Sequence, residues 1–494
     1  MSIRERFKTI QLTFYCILTR TEGVNYNTSD WALNGVTSEQ LRWENGTLYY
    51  TCGYDWNHGV TDDDDINDLA EILGNLIING GDITLNDVVQ AIQDAVDAGF
   101  GHGQGHIVIN RGGIHITGAG DLDGHIIFNG DLKDIRKLFI EKDITVIKIE
   151  LGGSSEAENI VDVSDDQTLE VNELSGEGSM KKNGNGKMKI TGTNNQVGGT
   201  LAVEEGDIIM ETGSRTDVHE LTLGYDEAQK ATVHVKKDAV VTGDTLQVDG
   251  ANATLINEGS MNFSGEVKVT NGHLENNGSI SKITLDGGTV SGSGIFDGLT
   301  MHEGELIVGN SPGLMSFTDT LEMIDGVVVF SLADAAQAAT AGTSGWDAAA
   351  YSTIDMGGNA LTLSSDVNFV LEIGGAALEA LISSEGASLT FCLQMIQNIH
   401  EDSLTLNTEA LTALLDNTSI IITEDSEGLR NGLLHLAGMD ITSMLSDGEY
   451  SYEGNNLVFR GTITNDGSLT VPEPTTATLS LLALAGLAAR RRRK

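Results

Sequence analysis

A four-residue phrase that returns 19 residues later does most to limit how this chain folds. Asn257-Glu258-Gly259-Ser260 comes back as Asn276-Asn277-Gly278-Ser279. Around it, short alternating segments such as Thr200-Leu201-Ala202-Val203, Lys268-Val269 and Glu305-Leu306-Ile307-Val308 are separated by Asn-Gly, Gly-Gly and Ser-Gly turns. A repeat near 20 residues matches one coil of a right-handed parallel β-helix, in which each coil turns aliphatic residues inward and its neighbours complete the core. Over residues 151–332 this spacing predicts about eight or nine coils. Composition agrees: 60 glycines, only 3 prolines and 5% aromatic residues suit recurring turns, and 40% hydrophobic residues exclude a disordered chain.

The flanks read differently. Residues 1–30 form a degenerate signal-like segment, with Arg4, Arg6 and Lys8 ahead of an apolar-leaning run from Ile10 to Leu18. Residues 31–150 hold an aromatic-containing stretch from Trp31 to Trp56, two predicted amphipathic helices and the first strands. The first helix is expected from Ile66 to Ile77, with Ile66, Leu69, Ile72, Leu73 and Leu76 on one face. In the second, Thr84 is the expected cap, Val88, Val89, Ile92, Ala95 and Val96 form the stripe, and Gly99 ends it. Residues 333–470 mix Ala-rich and Leu-rich stretches with strands such as Val367 to Ile373, and read as a mostly β cap domain that shields the end of the coils. The expected fold class is therefore mainly β: a right-handed parallel β-helix with a small helical N-terminal segment, a mixed mostly β cap and a short C-terminal transmembrane helix.

One stretch carries a family resemblance. Leu174-Ser175-Gly176-Glu177-Gly178-Ser179-Met180-Lys181-Lys182, then Asn183-Gly184-Asn185-Gly186-Lys187-Met188-Lys189-Ile190-Thr191-Gly192, then Asn194-Asn195-Gln196-Val197-Gly198-Gly199-Thr200 resembles the autotransporter-associated β-strand repeat. Gly309-Asn310-Ser311-Pro312-Gly313 is similar to a turn of such passengers. The resemblance implies a β-helical passenger stalk. Self-transport is not implied, because the C-terminal region has no run of alternating barrel strands.

Residues 471–494 have three physically distinct parts. Val471, Pro472, Glu473 and Pro474 leave an extended, accessible peptide, because proline blocks helix and restricts the residue before it. An apolar stretch from Ala477 to Ala489 can hide its backbone hydrogen bonds in lipid as a helix. Arg490, Arg491, Arg492, Arg493 and Lys494 then stop transfer on the cytoplasmic side. A helix of that length spans about 20 Å, short of the ~30 Å hydrocarbon core, which suits transient residence in the inner membrane. These parts resemble the PEP-CTERM sorting signal of Gram-negative bacteria. The resemblance implies an exosortase-type processing enzyme as partner, cleavage near Pro472-Glu473-Pro474, and delivery to the envelope, cell surface or extracellular matrix.

Charge and motifs narrow the function. With 72 acidic against 28 basic residues the net charge is −44, which repels nucleic acid and anionic membrane surfaces. The acidic run Asp62 to Asp65 is followed by Ile66, which breaks an EF-hand ligand pattern; it is read as the opening of a helix. His102, His106, His115 and His125 lack a Cys or close carboxylate partner, so they read as turn and strand-surface residues rather than metal ligands. Cys16, Cys52 and Cys392 have no metal or disulfide spacing, and no cofactor is expected. No serine-nucleophile elbow is read from the sequence, the Gly-x-Ser-x-Gly spacing at Gly309 to Gly313 being the turn named above, and neither a His-Glu-x-x-His nor a phosphate-binding Gly-Lys-Ser/Thr motif is present, so no catalytic residue is assigned. The expected function is a non-catalytic structural or adhesive surface protein whose partners include surface glycans or extracellular polysaccharide. The alternative is a carbohydrate-active β-helix enzyme, a lyase or glycoside hydrolase, which would need paired carboxylates in a groove.

Overall fold

The computed structural model describes residues 41–44, 47–50, 75–84, 107–116, 120–128, 135–153, 158–224, 229–310, 312–334, 350–403, 406–423 and 436–469. It is mainly β, with a long and mostly parallel sheet. The chain divides into two compact units, residues 1–304 and 305–494.

In the first unit the chain visits three ladders in turn and returns to each about one coil later. One ladder stacks Glu158–Val163 on Ser179–Asn183, with Met180 beside Leu201, Leu201 beside Leu221, and Leu221 beside Leu246. Leu246 then meets Val267, and Val267 meets Ile283. All six of these residues from Met180 to Ile283 are fully buried, so the ladder has a continuous apolar inner column. Burying each such side chain contributes roughly 1.5–3 kcal/mol. A second ladder runs through Leu169, Met188, Ile208, Val233, Leu255 and Leu274, again all buried. The third carries residues 215–218, 240–243 and 260–263 side by side, the first two being the opening halves of strands whose second halves belong to the first ladder. Alternate residues point inward: Ala231, Val233 and Val235 are buried, and so are Ala253, Leu255 and Asn257.

The Asn-x-Gly-Ser phrase is a corner between the second and third ladders. Asn257 and Asn276 sit in register and are both fully buried, in the column that holds Met210 and Val235 on the preceding coils. Asn257 Nδ2 donates to Asn276 Oδ1 at 2.7 Å, and Asn276 Nδ2 donates to the Ile295 carbonyl at 3.0 Å. Each asparagine also accepts from the amide of the glycine two residues on. Buried amides must be paired, and this ladder pairs them from coil to coil. A Cβ on Gly278 would collide with the Gly259 carbonyl below it, which explains the glycine in the phrase.

Parallel pairing reaches beyond residues 151–332. Thr47–Tyr50 already pairs in parallel with Asn75–Thr84, which in turn pairs with Ile107–Ile116. This corrects the end of the first predicted helix: Asn75, Leu76 and Ile77 are strand, and Thr84, the expected cap of the second, ends that same strand. The run Leu76-Ile77-Ile78 followed by Asn79-Gly80-Gly81 is β-branched and turn-rich, and ladder pairing overrides the helical spacing of its apolar residues. Residues 66–74 and 85–99, the acidic run at 62–65, and His102 and His106 lie outside the described residues.

In the second unit, Glu305–Ile307 pairs in parallel with Val327–Val329, and Val327–Leu332 pairs with Asn368–Ile373. Asn368–Ile373 then pairs with Thr418–Ile422. Two α-helices among the described residues, Gly375–Ile382 and Thr408–Asp416, lie between these strands in sequence. Asn407 caps the second, its side chain accepting from the Ala410 amide. Ser388–Gln397 and Leu445–Tyr452 flank Leu457–Thr464 in antiparallel fashion, so the expected mostly β cap region contains both continued parallel pairing and an antiparallel sheet. Among the described residues no helix is long and apolar enough to cross a membrane, and Ala477 to Ala489 lies outside them.

Candidate functional site: a polar groove along the coils

The first unit carries a groove of about 500 Å³ where the third ladder turns into the first. Its residues come from four successive strands: Gln196, Val197 and Gly198; Asp217, Val218 and His219; Thr242, Gly243 and Asp244; Asn262, Phe263 and Ser264. Register explains the grouping. Gln196 lies beside Asp217, Asp217 beside Thr242 and Thr242 beside Asn262, so these four polar side chains form one outward row. His219, Asp244 and Ser264, each two residues further along, form a second row. Between the rows run Val197, Val218, Gly243 and Phe263, of which Val197, Val218 and Phe263 are buried. Gly243 has no room for a side chain, because a Cβ there would press on the Val218 carbonyl and the Phe263 ring.

The rows are cross-linked between coils. Thr242 Oγ1 donates to Asp217 Oδ1 at 2.6 Å, Ser264 Oγ donates to Asp244 Oδ1 at 3.0 Å, and His219 Nδ1 donates to Asp244 Oδ2 at 2.8 Å. The hydrogen bond from His219, followed by that from Ser264, holds the Asp244 carboxyl below the usual carboxylate range. The imidazole and carboxylate are more than half exposed, at 57% and 59%, so water and solutes reach them.

This geometry limits the chemistry. The carboxylate of Asp244 lies between Ser264 and His219, so the imidazole has no serine within its bond to activate; a nucleophile relay places the base in the middle. A general acid for glycosidic cleavage needs a carboxyl with a raised pKa, whereas that of Asp244 is lowered. No Lys or Arg lines the groove. What the rows do offer is a fixed array of acceptors and donors whose orientation is set before anything binds.

Other polar side chains serve the coils themselves. Lys182 is fully buried, and its ammonium donates to the carbonyls of Asn183, Gly184 and Glu205 at 2.8, 2.6 and 3.1 Å. Burial pushes its pKa down to about 8, against the opposing pull of the Asp162, Asp207 and Glu205 carboxylates. Lys148 pairs with Glu173 on the adjacent coil at 3.0 Å, and Lys268 with Asp286 at 2.8 Å. The hydrogen bond from Lys148 lowers the Glu173 pKa. Cys392 is a free thiol whose pKa burial raises. His115 lies on Ile107–Ile116 and His125 on Gly120–Phe128. Among the described residues, no group of three or more His, Cys, Asp or Glu side chains is placed to hold a metal ion.

The residues expected to carry sorting and membrane stop, Val471, Pro472, Glu473, Pro474, Arg490, Arg491, Arg492, Arg493 and Lys494, lie outside the described residues. The stretch that holds them, residues 470–494, matches the PEP-CTERM protein-sorting motif. The chain thus carries a signal of the kind processed by exosortases, a signal for export to the cell envelope or surface. No curated protein and no solved structure matches the chain.

Proposed function

We propose that this is a non-catalytic structural or adhesive protein displayed at the bacterial surface or in its extracellular matrix, with a right-handed, passenger-like parallel β-helix as the displayed part. The observation that carries the reading is the PEP-CTERM motif at 470–494 following a body of stacked parallel coils. A right-handed sense is the strong rule for parallel strands joined by crossovers. Stacked coils also give an extended surface from short repeats, each held by its neighbours, which is the economy a display scaffold needs. A net charge of −44 keeps such a surface hydrated. In the groove, the lowered Asp244 pKa and the lack of any lining Lys or Arg favour binding without turnover over the glycosidase or lyase alternative.

Biotin labelling of intact cells with a membrane-impermeant reagent tests the display. The wild-type chain is expected to label, and a Pro472→Ala/Pro474→Ala variant is expected to remain in the inner-membrane fraction unlabelled. Equal labelling of both would remove the role of the motif, and no labelling of either would remove surface display.

A further inference from the structure

Resting on the surface-display reading, we propose that the groove between the Gln196–Asp217–Thr242–Asn262 row and the His219–Asp244–Ser264 row binds a segment of neutral, hydroxyl-rich polysaccharide laid along the coil axis. Neighbouring strands are about 4.7–4.9 Å apart, so four strands give a trough roughly 14 Å long. That length and the volume of about 500 Å³ suit a short run of sugar rings.

The walls select the chemistry. Asp217 and Asp244 accept hydrogen bonds, and the Gln196 and Asn262 amides both donate and accept, matching the dual character of sugar hydroxyls. Cross-coil bonds from Thr242, His219 and Ser264 already fix both carboxylates, so little order is lost on binding. Phe263 and Gly243 lie in the floor between the two rows, with the Phe263 ring buried and packed close against Gly243, so the polar walls carry the recognition. Other ligand classes fit less well. An anionic polymer meets two carboxylates on a chain of net charge −44. A cation would have to compete with the Thr242, Ser264 and His219 donors already on those carboxylates. A lipid tail would strip water from two carboxylates and the amides of both walls without replacing its hydrogen bonds.

The test titrates the exported chain with neutral oligosaccharides (cello-, xylo- and malto-oligosaccharides and dextran fragments) and, in parallel, with anionic alginate and hyaluronan fragments, by calorimetry. The expected result is saturable binding of at least one neutral series and none of the anionic series. Asp217→Ala/Asp244→Ala should weaken that binding by about tenfold or more, and Lys189→Ala, on a different ladder, should leave it unchanged. Thermal melting checks that both variants fold. If the double variant does not fold, hydrogen exchange on the wild-type chain decides, with protection on ligand addition expected at 217–219, 242–244 and 262–264. Absence of neutral-glycan binding by the folded wild type, preference for the anionic series, or undiminished binding without protection at those amides would each overturn the proposal. Surface labelling is read separately: a displayed chain that binds no glycan sinks only this inference, and a glycan-binding chain kept inside the cell sinks only the display.

Discussion

The two units use the same parallel ladder with different connections. In the first, Thr254 meets His273 after 19 residues and His273 meets Thr289 after 16, so nearly every residue of a coil is either in a strand or at a corner. In the second, Phe369 meets Thr418 only after 49 residues, and the intervening chain builds two helices and the antiparallel strand Ser388–Gln397. The cores differ to match. The first unit is lined by aliphatic columns with an asparagine ladder, while the second gathers aromatic rings. Phe330 and Phe369 meet edge to face at 5.5 Å, Phe369 and Tyr450 at 5.9 Å, and Tyr450 stacks on Phe459 at 4.6 Å. Single rings such as Phe128 and Phe296 are buried within the first unit, whereas the long excursions of the second bring several rings into mutual contact. Antiparallel pairing of Leu457–Thr464 with two strands also covers an edge that a parallel ladder would leave open.

The largest effect that would break this contrast is in the aromatic core. Phe369→Ala should destabilise the second unit by about 3–5 kcal/mol, measured by denaturant unfolding. Leu255→Ala, in an aliphatic column of the first unit, should cost about 2–5 kcal/mol, with faster hydrogen exchange strongest in the coils on either side. A uniform rise in exchange throughout the first unit would contradict nearest-neighbour stacking.

Smaller and more specific are the polar devices of the tight coils. Asn276→Ala removes a donor to the Ile295 carbonyl and an acceptor for Asn257, and should cost about 1–3 kcal/mol because buried partners are left unpaired. Lys182→Met should cost a similar amount at neutral pH, about 1–3 kcal/mol, by orphaning three carbonyls. Its clearer signature is pH dependence. The folded pKa of about 8 is below the ordinary lysine value, so between about 8 and 10 the unfolded chain binds more protons and wild-type stability rises with pH. The Met variant should lack that rise, as followed by melting at stepped pH.

The smallest effect is at the groove. Asp244 has a lowered folded pKa, so its contribution is complete above the ordinary carboxylate value and fades as pH falls through the lowered one. Removing His219, its largest partner, should lower the neutral-pH melt slightly in His219→Ala and leave the most acidic melts unmoved, so the acid limb becomes shallower. An unchanged acid limb would show that the 2.8 Å pair does not persist in solution.

Much of the coil architecture is legible in the sequence because its corners need particular residues. Asn257 and Gly259 recur as Asn276 and Gly278 because one must bridge coils and the other must pass beneath a carbonyl. The groove was not legible. Asp217 and Thr242 are 25 residues apart, Asp244 and Ser264 are 20 apart, and coil length varies, so no fixed spacing marks the rows. The signal available was local: polar–x–polar triplets, Asp217-Val218-His219 and Thr242-Gly243-Asp244 inside strands and Asn262-Phe263-Ser264 at the end of one. The helix expected at 66–77 misread its C-terminal end for a related reason. Leu76 and Ile77 satisfy a helical stripe on their own, and only the ladder with Thr47–Tyr50 decides for strand.

The central claim is that a body of stacked coils is delivered to the outside of the cell by a signal that is then removed. Mass spectrometry of the mature C-terminus, on fractionated cells, tests it most directly. A surface or extracellular product ending close to Pro472 is the predicted result. Recovery of the chain from the inner membrane with Arg493-Lys494 still attached would contradict it.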